Sequence, residues 1–332
     1  MIGVADLLRL PYSPDLSEGG IAYAIRSLPF TYNRVGGSPL ERMRRIVAGV
    51  AVELAFRRYL TAQGITFDVK GATPFTEPDR YDIALGGHRC DIKSFLISRR
   101  SQIREIRRDP ALLLNAPALV PLDQHLAEGH SESDLYLFAF LSGLVASSAR
   151  DVKRVLAAHL PAYFVYPMPA VWARPNTWAS LGALVLKSES DVSLTVELGG
   201  QVENREYASR VVILPPHQRL EIETNFYALS SLHVHRLPEG RLGVHSPALR
   251  ETCLIQPQQW GNIWVYGMEI VFAGYISYGE FRQRARLIPA GRRVFQYDQT
   301  RTKNLAVEVS SLRPLPELLE RLQDWNAETK RG

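Results

Sequence analysis

A pair of adjacent glycines, Gly86-Gly87, constrains this chain more than any other feature of its sequence. Alternating runs flank it: Tyr81-Asp82-Ile83-Ala84-Leu85 on one side, His88-Arg89-Cys90-Asp91-Ile92-Lys93-Ser94-Phe95 on the other. Two such runs, joined by two residues that tolerate positive φ, predict a β-hairpin with a two-residue turn. The turn sets the register, with Leu85 opposite His88, Ala84 opposite Arg89, Ile83 opposite Cys90 and Asp82 opposite Asp91. Because side chains alternate along a strand, Asp82, Asp91 and Lys93 are expected on one surface of the sheet.

Directly opposed residues have Cβ atoms only about 4.5–5.5 Å apart, and like charges placed there are destabilising. A divalent cation between the two carboxylates turns that repulsion into coordination, and oxygen-only ligands suit Mg²⁺ or Mn²⁺. Lys93 adds a positive charge beside them, suited to a phosphate oxygen or an attacking water. Two acids and a lysine around a hard cation are what phosphodiester hydrolysis requires.

On these residues the chain resembles the PD-(D/E)XK nuclease superfamily, the fold of restriction endonucleases and many repair nucleases. An acid, a short spacer and Asp91-Ile92-Lys93 carry the resemblance, which covers the first half of the chain. It implies that Asp82 and Asp91 bind the metal and that Lys93 assists the water. It also implies a glutamate from a preceding helix, which Glu53 matches. The literal Pro-Asp is Pro78-Asp79, but in the hairpin register Asp79 faces Ser94 on the other sheet surface, so Asp82 is the acid expected to act. A bulge in the hairpin would undo that choice.

In chain order, residues 11–37 are rich in Pro, Ser, Gly and Tyr without clear periodicity and predict a surface arm. Ser38-Pro39-Leu40-Glu41 then forms a capping box. Met43, Ile46, Val47, Val50 and Leu54 follow at helical spacing, and Gly64 supplies the stop. Glu53 lies at the margin of this apolar stripe. Two readings of it stand open: a third metal-site acid, or a solvated glutamate paired with Arg57 one turn on. Residues 65–70 predict a first strand ahead of the hairpin.

The stretch 99–108 holds Arg99, Arg100, Arg104, Arg107 and Arg108 against one glutamate. Beside the hairpin it is placed to meet a phosphate backbone, although such runs are commonly solvated faces. Pro110 ends it. A polar loop is expected over 116–134, a buried strand over 134–141, a helix over 149–160 and a strand over 162–166. Helix, three-strand meander, helix, strand is the order of a restriction-endonuclease-like α/β core. From 174 onward helical periodicity fades, and short alternating runs between Pro and Gly turns predict a β-sandwich or barrel closed by a helix near 316–325. Two domains follow: 1–173, nuclease-like with its arm, and 174–332, a recognition or partner-binding module.

Composition narrows the setting. Two cysteines, Cys90 and Cys253, exclude a disulfide scaffold and fit a reducing cytoplasm. No run reaches the ~18 apolar residues of a membrane span. A net charge of +5 is compatible with a polyanionic partner. His233-Val234-His235 with Glu239 has the spacing of a cupin metal motif, but Pro238-Glu239-Gly240 reads as a turn, and a hydrogen-bonded surface pair is the simpler account. Gln124, His125 and His130 precede the buried strand and are possible neighbours of the acid site.

The expected function is a Mg²⁺- or Mn²⁺-dependent DNA endonuclease of restriction or defence type, for which cutting both strands of a symmetric site favours a homodimer. The alternative is a catalytically inactive nuclease fold that binds DNA, sugar or protein through the β-rich half.

Overall fold

The structure is a computed structural model that describes residues 2–31, 37–69, 81–127 and 129–329. Pro78-Asp79 therefore lies outside the described residues. The chain is a mixed α/β protein with several sheets, divided into two compact units. The first comprises Met1–Gly20, Ala48–Leu144 and Val265–Gly332, and the second Ile21–Val47 and Val145–Trp264.

This division replaces the expected cut at 173/174. The strand Phe164–Pro167 belongs with the second unit, where it pairs with Ala228–Val234. The strands Val265–Ser277 and Asn304–Glu308 return to the first. An alternating run records which side is buried but not which distant strand it joins, so a linear reading assigned these strands to the wrong unit.

The first unit is organised around a six-stranded sheet. Its order is Leu8–Leu10, Val265–Ser277, Leu135–Val145, His88–Ile97, Ile83–Leu85, Phe67–Asp68. The hairpin forms with the expected register, Ile83 opposite Cys90, Ala84 opposite Arg89 and Leu85 opposite His88. Gly86 and Gly87 both have positive φ, 53° and 79°, the backbone that twists a two-residue turn with its strands. His88–Ile97 then runs parallel to Leu135–Val145, with Asp91 beside Tyr136 and Lys93 beside Phe138.

Parallel neighbours need a crossover, and this one includes the helix Arg100–Arg108. Its Ile103 and Ile106 bury in a core with Phe95, Ile97, Phe138, Phe140 and Phe281. On the opposite sheet surface lies the helix Pro39–Ala62. Its Gly49 approaches Ser94 so closely that an added Cβ would sit 3.5 Å from the hydroxyl, and its Phe56 stacks on Phe272 with centroids 4.6 Å apart.

Both ends of that helix are built as the sequence predicts. Ser38 Oγ accepts from the Glu41 amide (3.2 Å), and at the other end Ile65 N donates to Leu60 O (2.9 Å) after Gly64 turns to φ 67°. The expected arm over 11–37 is instead the helix Pro14–Thr31. Leu16, Ile21, Ala24, Ile25 and Leu28 are buried along it at helical spacing, a stripe hidden by interspersed Ser, Gly and Pro. Nor is 116–134 a plain polar loop. Pro117–Pro121 is a strand in an antiparallel sheet with Asn304–Glu308 and Arg286–Ile288, and Leu122–His125 is one helical turn. Its pairing partner lies far away in sequence, so nothing local announces it. The terminal helix Leu315–Thr329 buries Leu318, Leu319 and Leu322, while the side chain of Trp325 lies outside the described residues.

The second unit holds two antiparallel sheets, of five and four strands. Their inward residues, among them Phe164, Leu186, Val196, Leu198, Leu232 and Val244, share one core with Trp172. The two sheets thus share one apolar layer. Trp172, Trp260 and Trp264 are buried.

Candidate functional site

Arg89, Asp91 and Lys93 share a surface of the strand His88–Ile97, the same surface on which Phe95 and Ile97 enter the core further along. The strand is thus apolar at one end and ionic at the other. The ionic end borders a small cleft lined by Tyr81, Arg89, Asp91, His130, Asp134, Leu135, Tyr136 and Tyr278.

Asp91 Oδ2 lies 2.6 Å from Lys93 Nζ. The ammonium also donates to Gln124 Oε1 (2.8 Å) and stands 5.9 Å from the centre of the Tyr136 ring. Burial, followed by the charge of Asp91, pushes the Tyr136 phenol well above its ordinary value, so it is a neutral hydroxyl throughout the physiological range.

The far wall is a braced loop. Arg89 makes two bonds to the Asp134 carboxylate (3.0 and 2.7 Å) and a third to Gly129 O (2.8 Å), while Ser131 N donates to Asp134 (2.8 Å). Asp134 is therefore spent as a strut. Tyr278 is stacked between two imidazoles, His125 at 4.5 Å and His130 at 4.8 Å between ring centres, and its hydroxyl donates to His125 O (3.0 Å). His125 is buried beside the Tyr136 hydroxyl (3.2 Å), and burial depresses its basicity. This clamp fixes the single turn Leu122–His125 and so aims Gln124 at Lys93.

The structure brings Asp91, Lys93 and Gln124 together, with His130 in the same cleft. Asp82 is placed differently from the expected face-to-face pair. Its amide donates to Cys90 O (3.0 Å), so Asp82 joins Ile83 opposite Cys90 in a bulge. Its carboxylate then turns to accept from Ile92 N (2.6 Å), capping the amide that a continued strand would have used. Burial foremost, then the charges of Asp134, Asp82 and Asp91, push Cys90 up to about 12.

Glu53 does not join Asp91. It pairs with Arg57 at 3.6 Å, on the helix that packs against the Ser94 surface, the one facing away from Asp91 and Lys93. Arg57 also donates to Asp82 O (3.1 Å), so the helix secures the bulge rather than the cleft. Of the arginine stretch, Arg99 pairs with Asp298 (2.5 Å) and Arg107 with Glu269 (2.6 Å). Arg100, Arg104 and Arg108 fall at i, i+4 and i+8, exposed along one helix stripe.

Sequence reasoning passed over Arg89 and Asp134. Arg89 was within reach, since alternation alone puts it on the surface of Asp91 and Lys93. Asp134 and Tyr278 arrive through long-range packing and leave no local signal.

Among the described residues, no group of three or more His, Cys, Asp or Glu side chains converges as a metal cage. The cupin-like spacing in the second unit does not assemble either. Glu239 is exposed and pairs with Arg236 (3.5 Å), whereas His233 meets Glu197 on the neighbouring strand (3.4 Å) and stacks flat on Tyr163, 3.5 Å away. Among the described residues, no helix is long and apolar enough to cross a membrane. Comparison of the chain with protein-family models, with characterised proteins and with solved structures finds no match.

Proposed function

We propose that the chain is a Mg²⁺-dependent nuclease acting on DNA, with its chemistry at Asp91 and Lys93. One observation carries this reading: an acid and a lysine two residues apart stand on the same strand surface, and the acid lines a cleft with Arg89, His130 and Asp134. The order of helix Pro39–Ala62, three-strand meander, helix Arg100–Arg108 and parallel strand Leu135–Val145 supports a restriction-endonuclease-like core around them.

The donor set suits Mg²⁺, which keeps several waters and is held by one or two carboxylates together with substrate phosphate oxygens. Asp91 would supply the carboxylate; Asp82 is left out because its carboxylate caps the Ile92 amide, and Glu53 because it lies on the other surface. When bound, the cation polarises the phosphoryl oxygen and makes a water molecule more acidic. Lys93 would turn from Asp91 to the phosphate, with Gln124 holding its ammonium in line. The water oxygen, giving up one proton to surrounding solvent, forms the new P–O bond as the bond to the leaving sugar oxygen breaks, and that oxygen takes up a proton from solvent. Tyr136, neutral and buried, walls the site without adding charge.

The test is cleavage of supercoiled plasmid with Mg²⁺ or Mn²⁺ by wild type, Asp91→Ala and Lys93→Ala. Nicking or linearisation by wild type, lost in both variants, is the expected result. Intact single- and double-stranded DNA and RNA across the divalent series would favour a non-catalytic binding protein instead.

A further inference from the structure

The connection between strands Arg286–Ile288 and Asn304–Glu308 spans residues 289–303, long for a link between antiparallel neighbours. Connections longer than about 12–15 residues with no secondary structure are uncommon and usually functional or disordered. This one is rigidly built. Gly291, at φ 80°, donates to Thr300 O (2.6 Å), Thr300 N donates to Arg292 O (2.8 Å), and Thr300 Oγ1 bonds Pro289 O (2.7 Å). Phe295 and Tyr297 pack on the core, and the buried Gln296 side chain donates to Pro117 O (2.7 Å).

Having pinned its apolar residues inward, the segment turns its charges outward. Arg292, Arg293, Arg301 and Lys303 are exposed, against one acid, Asp298. That acid is already taken by Arg99, and Gln102 of the arginine helix donates to Phe295 O (2.6 Å), so the loop is fastened to the start of that helix. At its other end Lys303 O accepts from Leu122 N (3.0 Å), the first residue of the turn that presents Gln124 to Lys93. A preorganised cationic loop thus runs from the arginine helix to the candidate site. Among the described residues, Arg292, Arg293 and Lys303 make no ion pair.

We propose that this loop is a clamp for the nucleic-acid backbone, gripping phosphates beside the one held at Lys93. The inference rests on the nuclease reading and deepens it, because it names where the substrate lies. Rigidity matters here: cations held in place lose little freedom on binding, whereas the condensed counterions released from the nucleic acid favour association.

The experiment measures binding of a fluorescent DNA duplex by anisotropy, in EDTA and across a salt series. Wild type is compared with Arg292→Gln/Arg293→Gln/Lys303→Gln and with a control that removes equal charge elsewhere, Arg150→Gln/Lys153→Gln/Arg219→Gln. The loop variant should bind at least about tenfold more weakly, with its log–log salt slope reduced by about 2 to 3 units, while the control follows wild type. Equal affinity and slope in the loop variant and wild type, with the fold confirmed by an unchanged melting temperature, would overturn the clamp. So would wild-type binding without salt dependence. With no metal present, cleavage plays no part in this measurement. A failed clamp beside Asp91-dependent plasmid nicking would therefore leave the nuclease reading standing.

Discussion

Each unit places an acid and a base on a sheet surface, but the two pairs are tied to the fold in different ways. Glu197 and His233 sit on neighbouring strands, so their contact fastens one strand to the next, and Tyr163 closes over the imidazole. Asp91 and Lys93 sit two residues apart on one strand, so their contact fastens nothing to anything else. Evicting the first pair removes a side-chain tie between two strands of the five-stranded sheet. Evicting the second leaves the hairpin, the parallel pairing and the apolar core of the first unit as they were. A charged pair tied to another element by one Lys93–Gln124 bond, at the rim of a cleft, is free to serve chemistry, and it is there that we place the proposed function.

The sharpest way to break this contrast is to compare activity with stability. Asp91→Asn or Lys93→Gln, each of which keeps a polar partner for the largely buried group left behind, should lower DNA cleavage by roughly 10²- to 10⁴-fold, while chemical denaturation shifts by only about 1 kcal/mol. His233→Ala should do the reverse, costing about 2 kcal/mol through the lost ring stack and a half-buried glutamate left unpaired, with cleavage unaffected. Comparable destabilisation by both changes would erase the distinction.

Acid should sharpen it further. Burial holds His233 below its ordinary 6.5, and the His233 bond holds Glu197 below its ordinary 4.5. Each then binds a proton more readily in the unfolded chain. The stability they allow is complete above about pH 6.5 and is lost as pH falls, first through the His233 range and then below 4.5. In His233→Phe the loss between 6.5 and 4.5 should shrink, the remainder coming from the buried His125 of the first unit, as read from melting temperature against pH. The smallest effect is expected at the brace. Arg89→Ala should cost about 1 kcal/mol and reduce cleavage severalfold, because the 129–134 wall loosens without disturbing Asp91.

What could be read from the chain alone followed how far each determinant reaches. Gly86-Gly87 fixed the hairpin register and Ser38 the helix start, because both act over four residues. The Asp91–Lys93 pair was legible for the same reason, since alternation is local. Asp82 was not: one extra residue in the ladder turned its carboxylate to the Ile92 amide, and a bulge has no simple sequence mark. Gln124 reaches Lys93 only because His125 is gripped by Tyr278, a residue brought in from more than a hundred positions away. The boundary between units was misplaced because strands from 265–277 and 304–308 cross back to complete the first one. The loop 289–303 showed its charge in the sequence but not its attachment to Arg99 and Leu122.

The central claim is that Asp91 and Lys93 flank a catalytic cation. Crystals grown with a short DNA duplex and soaked in Mn²⁺ test it most directly through anomalous scattering. The account predicts a peak at coordination distance from the Asp91 carboxylate, with Lys93 swung from Asp91 to a phosphate oxygen. A structure with DNA bound but no such peak, and with the Asp91–Lys93 ion pair still closed, would contradict it.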